Sequence, residues 1–318
     1  MNNAPSNGPR GVDTDAAIWL RETITPWDRY EHGATRVVHH GSTEFQDVCI
    51  ADTPAFGRML MLDGIVQSSA CDEFIYHEAL VQPAMFAVGS PQRVLVLGGG
   101  EGATLREALR WPSVARALMI DIDGDLLALA REYLGAWHRG SFDDPRAEVR
   151  VGDAVAFLAT TDERFDVVIS DMTDPVEDGP STFCFTREFF EAVRGVLVPG
   201  GVLAVQAGPW SPVELDLHAR VIRTLRSAFA EAWSYPCVAP VYGRALGFAV
   251  ASDAPLRERI EANNAPPEVV QGLRAVPPAV ASGLLAPAPF IETAIAAESR
   301  IYTNAEPPAT HGAAGWTT

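Results

Sequence analysis

The sequence contains no lysine; all 24 of its basic side chains are arginine. Two chemistries that need a lysine amine are thereby excluded: imine formation with a carbonyl substrate, and phosphate clamping by a P-loop. Cysteine is scarce. Cys49, Cys71, Cys184 and Cys237 are scattered, with no CxxC pair and no histidine at zinc spacing. They read as reduced, mostly small core residues, and none as a nucleophile. No apolar run reaches the ~18 residues a membrane span needs, and mean hydropathy is close to zero. Positive charge is outnumbered: 41 acidic residues give a formal net charge of -17. Nucleic acid requires a basic footprint and is excluded as a partner. The acidic balance fits a solubilising surface, or a field that gathers small cations. The opening MNNAPSNGPRGVDTDAA lacks the basic start and apolar segment of a secretory signal. Residues 1–25 are expected to form a disordered tail, and the cytoplasm is the expected compartment.

What is present falls into two textures. From 30 to 76, short β-rich pieces alternate with turn signals at Gly41, Pro54, Gly57 and Asp63-Gly64. Asp-Gly between apolar runs is a strong hairpin signal. A small antiparallel β-domain is expected over 26–80, with HEALVQPAMFAV (77–88) as a helix leading out of it. From 92 the pattern becomes strand–helix–strand: VLVLGGG, ATLREALRW, ALMIDID, GDLLALAREYL, AEVRVGD, AVAFLAT, FDVVISD, TREFFEAVRGVL, GGVLAVQAG and, last, LGFAVASD. This alternation predicts an α/β catalytic domain over 81–254, a doubly wound parallel sheet with helices on both faces. Proline-broken helical pieces and then a disordered tail are expected over 255–318.

Ligands of such sheets bind beyond the carboxyl ends of the strands. There the first strand runs into a glycine turn, Gly98-Gly99-Gly100, with Glu101 inside it. Glycines let the backbone approach a ligand, but an acid in that turn repels phosphate, so dinucleotide binding loses ground. The second strand ends in Asp121, suited to ribose hydroxyls, and Asp123, suited to a helix cap. Asp153 ends the third and could either cap the next helix or hold an adenine amino group. Asp171 and Asp174, in DMTDP, end the fourth. A crevice lined by carboxylates, with no histidine among them, suits a cationic ligand: a sulfonium nucleoside or an amine. Gln46, Tyr76, His77 and Gln206 are weak signals taken singly.

Taken together, EFQD, LDGIVQSSACDEFIYHE, GGGEGATLREALRW, IDID, GDA, ISDMTDP and GGVLAVQAG resemble, in order and spacing over about residues 36–252, the spermidine synthases of the polyamine aminopropyltransferase family. The resemblance implies a small N-terminal β-domain on a methyltransferase-like (Rossmann-like) sheet, and assembly into homodimers or homotetramers. It implies transfer of an aminopropyl group from decarboxylated S-adenosylmethionine, a co-substrate, to an amine, with 5′-methylthioadenosine released. No metal or other cofactor is implied. By position, Asp171 matches the general base. Gln46, Asp121, Asp153, Ala154 and Pro180 match nucleoside contacts beside the glycine turn. Glu101 matches an acid for the donor's ammonium. Tyr76, His77, Asp174, Gln206 and Tyr242 match positions near the acceptor amine.

Two features depart from the common pattern. The turn reads GGGEGA where GGGDGG is usual, and DMTDPVEDGPSTFCF carries two extra residues before Gly179-Pro180. Both, with WHRGSFDDPRAEV (137–149), resemble the branch containing thermospermine synthases and agmatine-using thermophile enzymes. Acceptors longer than putrescine are therefore expected beside putrescine itself, with the 175–186 loop as a wall of the acceptor pocket. Two rivals share the fold: a small-molecule N-methyltransferase using S-adenosylmethionine, and an idle scaffold. Glu101 argues against the first, because it repels the carboxylate of the undecarboxylated donor. The intact set of strand-end acids argues against the second.

Overall fold

A computed structural model describes residues 18–308, apart from residues 26, 176–178, 263 and 287. The expected tails at 1–17 and 309–318 lie outside the described residues. The stretch expected as tail through residue 25 needs correction, because it includes a strand. β1 (Ile18–Thr23) pairs antiparallel with β2 (Arg29–Ala34). A four-stranded antiparallel sheet follows: β3 (Arg36–Ser42), β4 (Asp47–Thr53), β5 (Gly57–Leu62) and β6 (Ile65–Ser69). Asp63 and Gly64 join β5 to β6 with φ of 51° and 75°. Two positive φ values give the turn whose twist matches its strands.

Helix α1 (Glu73–Val88) begins four residues before the expected start, so Tyr76 lies inside it together with His77. The expected domain boundary at 80/81 falls within this helix. It is buried on almost every side, with Leu80, Val81, Ala84, Met85 and Phe86 fully enclosed.

The main sheet shows the predicted alternation, with helix α4 and strand β12 in addition to what the sequence indicated: β7 (Arg93–Gly98), α2 (Ala103–Leu109), β8 (Arg116–Asp121), α3 (Gly124–Tyr133), α4 (Gly135–His138), β9 (Ala147–Val151), α5 (Ala154–Thr160), β10 (Phe165–Asp171), α6 (Arg187–Val196), β11 (Leu197–Pro209), α7 (Leu215–Ala228), β12 (Glu231–Cys237) and β13 (Leu246–Ser252). Side chains on β7 point alternately into two cores: Val94 and Val96 into one, Leu95 and Leu97 into the other. Such a strand must be apolar throughout, which is why it reads as an unbroken hydrophobic run.

The strand order is β12-β13-β11-β10-β7-β8-β9. Six strands point the same way, five of them paired parallel, and β13 runs antiparallel to both neighbours. The all-parallel expectation fails here for a simple reason. The 238–245 connection is too short for a crossover helix, so the chain can only turn back.

Helices α8 (Arg257–Glu261), α9 (Pro267–Gln271), α10 (Pro278–Leu284) and α11 (Pro289–Ala297) form the C-terminal pieces. Among the described residues no single helix is long and apolar enough to cross a membrane. The extension braces α1 directly. The buried Glu78 carboxylate accepts the backbone N–H groups of Arg274, Ala275 and Val276 at 2.7–3.0 Å.

Glu22 on β1 is 2% exposed. Among the described residues its Oε2 has no hydrogen-bond partner. Burial pushes its carboxyl up to about 7, against the pull of Arg244 and the Val66 N–H. The neutral form therefore suits the folded state. Its stabilisation is complete below the unfolded value and is lost as pH rises through about 7. Glu22→Gln removes that titration and should raise unfolding free energy near pH 8 by up to ~3 kcal/mol, with little change near pH 4. Denaturant unfolding at both pH values checks this, and an equal effect at both would refute it.

Candidate active site

The parallel register sets the site. Asp171, the last residue of β10, lies beside Gly98, the last residue of β7. On the other side of β7, β8 brings Asp121 to the same edge. Gly98 has φ of 80°, and a Cβ there would meet the Asp171 carbonyl oxygen at 2.4 Å. Gly99 N–H donates to that carbonyl at 3.1 Å. A Cβ on Gly100 would lie 3.1 Å from Asp121 Oδ2. The turn is glycine because two acidic strand ends crowd it, quite apart from any ligand.

These residues border a cleft of about 950 Å³, its open mouth included. All the nucleoside candidates line it: Gln46, Asp121, Asp153, Ala154 and Pro180, with the three glycines and Glu101. Asp121 accepts the N–H of Asp123 at 2.9 Å. Burial pushes its carboxyl up to about 6, and the nearby charges of Asp123 and Asp171 add to this. Asp123 caps α3 through the Leu126 N–H at 2.9 Å, the role the sequence indicated. It does more: its other oxygen accepts Gln46 Nε2 at 2.8 Å and Thr43 Oγ1 at 2.6 Å, tying the β-domain to the main sheet. Asp153 caps α5 through the Val155 N–H at 2.7 Å and still borders the cleft, so the two readings of it are compatible.

At the cleft's inner end, Asp171 Oδ1 accepts Tyr76 Oη–H at 2.7 Å, and Oδ2 accepts the Thr104 hydroxyl. Both donors are neutral, and each carboxylate oxygen keeps a lone pair for an ammonium. Burial raises the Tyr76 phenol well above its usual range and the Asp171 charge raises it further, so it stays a donor. Asp174 accepts Gln206 Nε2 at 2.9 Å. Tyr242 donates to the Gln67 carbonyl at 2.7 Å, and its ring meets that of Tyr76 edge-on at 6.0 Å. Asp174, Gln206 and Tyr242 flank the cleft without bordering it, whereas Tyr76 and His77 border it. Of the loop expected as an acceptor wall, residues 176–178 lie outside the described residues; Pro180, Ser181 and Cys184 border the cleft. Burial pushes the Cys184 thiol up to about 12, which keeps it protonated and unreactive.

Glu101 is held from two sides. Its Oε1 lies 2.8 Å from His77 Nε2, and its Oε2 accepts Ser68 Oγ–H at 2.6 Å. Ser68 in turn accepts the Trp137 indole N–H at 2.8 Å. Behind His77 stand Glu73 and Arg106, four positions along α1 and on α2. Sequence reasoning missed Ser68, Glu73, Thr104, Arg106 and Trp137. The Glu73–His77 spacing of four on a helix was a usable signal; the Ser68–Trp137 contact, far apart in sequence, had none.

A methyltransferase-like sheet with a glycine turn, a buried acid at the end of its second strand and a braced carboxylate at the end of its fourth has the layout of a nucleoside-dependent transferase. Comparison with known proteins gives the family. Residues 73–260 match the spermine/spermidine synthase domain, and residues 18–70 match the spermidine synthase tetramerisation domain. The chain belongs to the spermine/spermidine synthase family. It is 46% identical over 302 residues to the polyamine aminopropyltransferase of Synechococcus sp. (strain JA-2-3B'a(2-13)), covering 92% of this chain and 97% of the relative. Polyamine aminopropyltransferase 2 of Pseudomonas aeruginosa is 46% identical over 242 residues, 76% of this chain and 69% of that one. Among solved structures, a spermidine synthase in complex with the transition-state analogue AdoDATO superposes with a TM-score of 0.81 at 29% identity, covering 89% and 96% of the two chains. Spermidine synthase from Thermotoga maritima gives 0.79 at 29% identity, with 88% and 95% covered.

Gly98→Ala tests the strand-end packing. It combines a positive φ with a Cβ driven against the Asp171 backbone. The expected cost is ~2 kcal/mol or more in denaturant unfolding. Wild-type stability in the variant would show that the approach is relaxed in solution.

Proposed function

We propose that the chain moves an aminopropyl group from decarboxylated S-adenosylmethionine to an amine and releases 5′-methylthioadenosine. Family membership supports this, and one observation carries it on this chain. A carboxylate braced by two neutral hydroxyls, Asp171, shares one cleft with a second carboxylate, Glu101, and with the ribose-type acid Asp121. That is a base for an amine beside a seat for an ammonium, on a nucleoside site.

The acceptor amine arrives protonated and cannot attack. Asp171 takes one proton, and the freed lone pair attacks the methylene carbon bonded to the sulfonium. The C–N bond forms as the C–S bond breaks, and its electron pair neutralises sulfur. The thioether is a good leaving group, so no acid is needed opposite the base. Gln206 holds Asp174 at 2.9 Å, where it can steady the acceptor. General-base help of this kind is typically worth ~10²–10⁴-fold, and alignment more. A cleft lined by Asp121, Glu101 and Asp171 favours both cationic substrates electrostatically.

The acceptor is a small di- or polyamine: putrescine, agmatine or spermidine. Glu101 in the turn and the long 175–186 loop favour acceptors longer than putrescine. The assembly is a homodimer or homotetramer in the same reading, and the cytoplasm its compartment. Trp19 and Trp27, 50% and 82% exposed on and beside the β1–β2 hairpin, supply apolar surface in the segment matched to the tetramerisation domain.

Product analysis by mass spectrometry tests the proposal. The protein receives decarboxylated S-adenosylmethionine with putrescine, agmatine, cadaverine, spermidine and spermine in competition, and S-adenosylmethionine in parallel. Methylthioadenosine with one aminopropylated amine is expected; a methylated amine from the parent donor alone would make this an N-methyltransferase. Asp171→Asn should lower turnover by about 10²–10⁴-fold while methylthioadenosine binds nearly as before. Wild-type turnover in that variant would remove Asp171 from the role of base.

A second expectation concerns pH. Asp121 binds ribose hydroxyls as a carboxylate, yet in the free protein it takes up a proton near pH 6. Binding of methylthioadenosine should therefore weaken about tenfold per pH unit below about 6, with release of a proton on binding there. Calorimetry in two buffers reads both. An affinity independent of pH between about 4.5 and 8 would rule out the charged Asp121–ribose contact.

A further inference from the structure

His77 is 1% exposed, and both of its ring nitrogens face acceptors. Nε2 lies 2.8 Å from Glu101 Oε1. Nδ1 lies 2.7 Å from the Glu73 carbonyl and 2.9 Å from Glu73 Oε2. A neutral imidazole has one N–H and one lone pair. It would set a lone pair against a carboxylate or a carbonyl on one side or the other. Only the imidazolium, with two N–H groups, satisfies both sides. Burial works against that charge, but the two carboxylates outweigh it and push His77 up to about 10.

Glu73 is itself fixed. Arg106 grips it with a two-point fork, Nη1 to Oε1 at 3.0 Å and Nη2 to Oε2 at 2.9 Å. Burial would raise the Glu73 carboxyl, but His77 and Arg106 hold it down at about 2. Arg106 also donates to the Trp137 carbonyl and pairs with Glu107. The charged groups around the ring are thus Glu73 on its own helix, Glu101 from the glycine turn and, one step back, Arg106 from α2 and Arg139 at 3.6 Å from Glu73. Tyr76 meets the ring edge-on at 5.0 Å.

We propose that Glu73 and Arg106 are positioning residues that hold His77 as an imidazolium, and that His77 orients Glu101 for the donor's ammonium instead of touching the acceptor amine. This rests on the aminopropyl-transfer reading above. A cationic ring with both N–H groups engaged has no lone pair to offer an ammonium, so resemblance alone misplaces it beside the acceptor. Glu101 keeps free lone pairs on both oxygens and can receive the ammonium while His77 and Ser68 hold its direction. Neither positioning residue borders the cleft.

The test uses the full-length protein and three variants: His77→Gln, Glu73→Gln and Arg106→Lys. Each should raise the KM or Kd of decarboxylated S-adenosylmethionine about tenfold, leaving the acceptor KM within about twofold. Glu73→Gln should also make kcat/KM for the donor fall as pH rises between about 7 and 9, because the imidazolium loses one flanking carboxylate and titrates there; wild type should show no such step. A merely structural role would not create a new ionisation. A rise in acceptor KM with unchanged donor affinity in His77→Gln would overturn the proposal. NMR of the ¹⁵N-histidine-labelled protein, with His77 assigned by its loss in His77→Gln, gives an independent reading. Two protonated ring nitrogens at about pH 8 are expected; a neutral tautomer would sink the idea even if transfer is confirmed. If no amine is aminopropylated, the functional reading fails on the product assay, while the NMR result still decides the state of His77.

Discussion

The arrangement depends on a helix that is buried and yet carries charge. Helix α1 packs against the main sheet and the C-terminal extension, and follows directly on the N-terminal β-sheet. Burying an unpaired charge costs far more than one apolar contact returns. Each polar side chain on α1 must therefore meet a partner from a different part of the chain. Glu73 and His77 meet Arg106 and Glu101 on the catalytic side. Glu78 meets three backbone N–H groups of the C-terminal segment. Gln82 meets Trp111 and Glu107. Apolar packing would let the helix slide or rotate at small cost. These directional pairs fix its register, and with it Tyr76 against Asp171.

The site is then a balance of charges at different depths. From the cleft edge inward, Glu101, His77, Glu73, Arg106, Glu107 and Arg110 alternate in sign through direct ion pairs. At its wall, the side-chain and backbone donors found for Asp121 and Asp171 among the described residues are neutral, and the Asp171 charge raises both the Tyr76 phenol and the Asp121 carboxyl. Negative charge without an ionic partner thus sits at Asp121 and Asp171, while paired charge runs from Glu101 into the interior, where rigidity is needed.

The sequence showed the strand ends well. Unbroken apolar runs followed by an acid or glycine have one natural position in a parallel sheet, and Asp121, Asp153 and Asp171 occupy it. Where the pattern failed, a different rule applied. Nothing in LGFAVASD marks a reversed strand; the direction of β13 follows from the length of the preceding connection. β1 was hidden because its alternation is half polar and lies next to a tail-like stretch. The start of α1 was missed because a helix that begins with buried Glu73, directly after buried Asp72, breaks the usual amphipathic pattern. The second layer of the site was least legible. Ser68, Thr104 and Trp137 are ordinary residues whose meaning comes only from distant partners.

That second layer accounts for a departure which the sequence alone could only note. In the proposed reading, the carboxylate in the glycine turn receives the donor's ammonium while it is steadied from behind. With glutamate at 101, the extra methylene carries the oxygens to both His77 Nε2 and Ser68 Oγ. Ser68 needs its own hydrogen-bond donor, and Trp137 provides it. Ser141, from the same segment, donates to the Gly102 carbonyl at 2.9 Å, and the Phe142 ring packs where a Cβ on Gly102 would sit. The WHRGSF segment is thus the outer support of the turn. Glu101, His77 and Trp137 form one mechanical unit: shortening Glu101 would strand the Ser68 hydroxyl and the His77 N–H, both buried, and would leave a fixed positive charge beside the donor. The glutamate and the distant tryptophan are thus physically linked through Ser68.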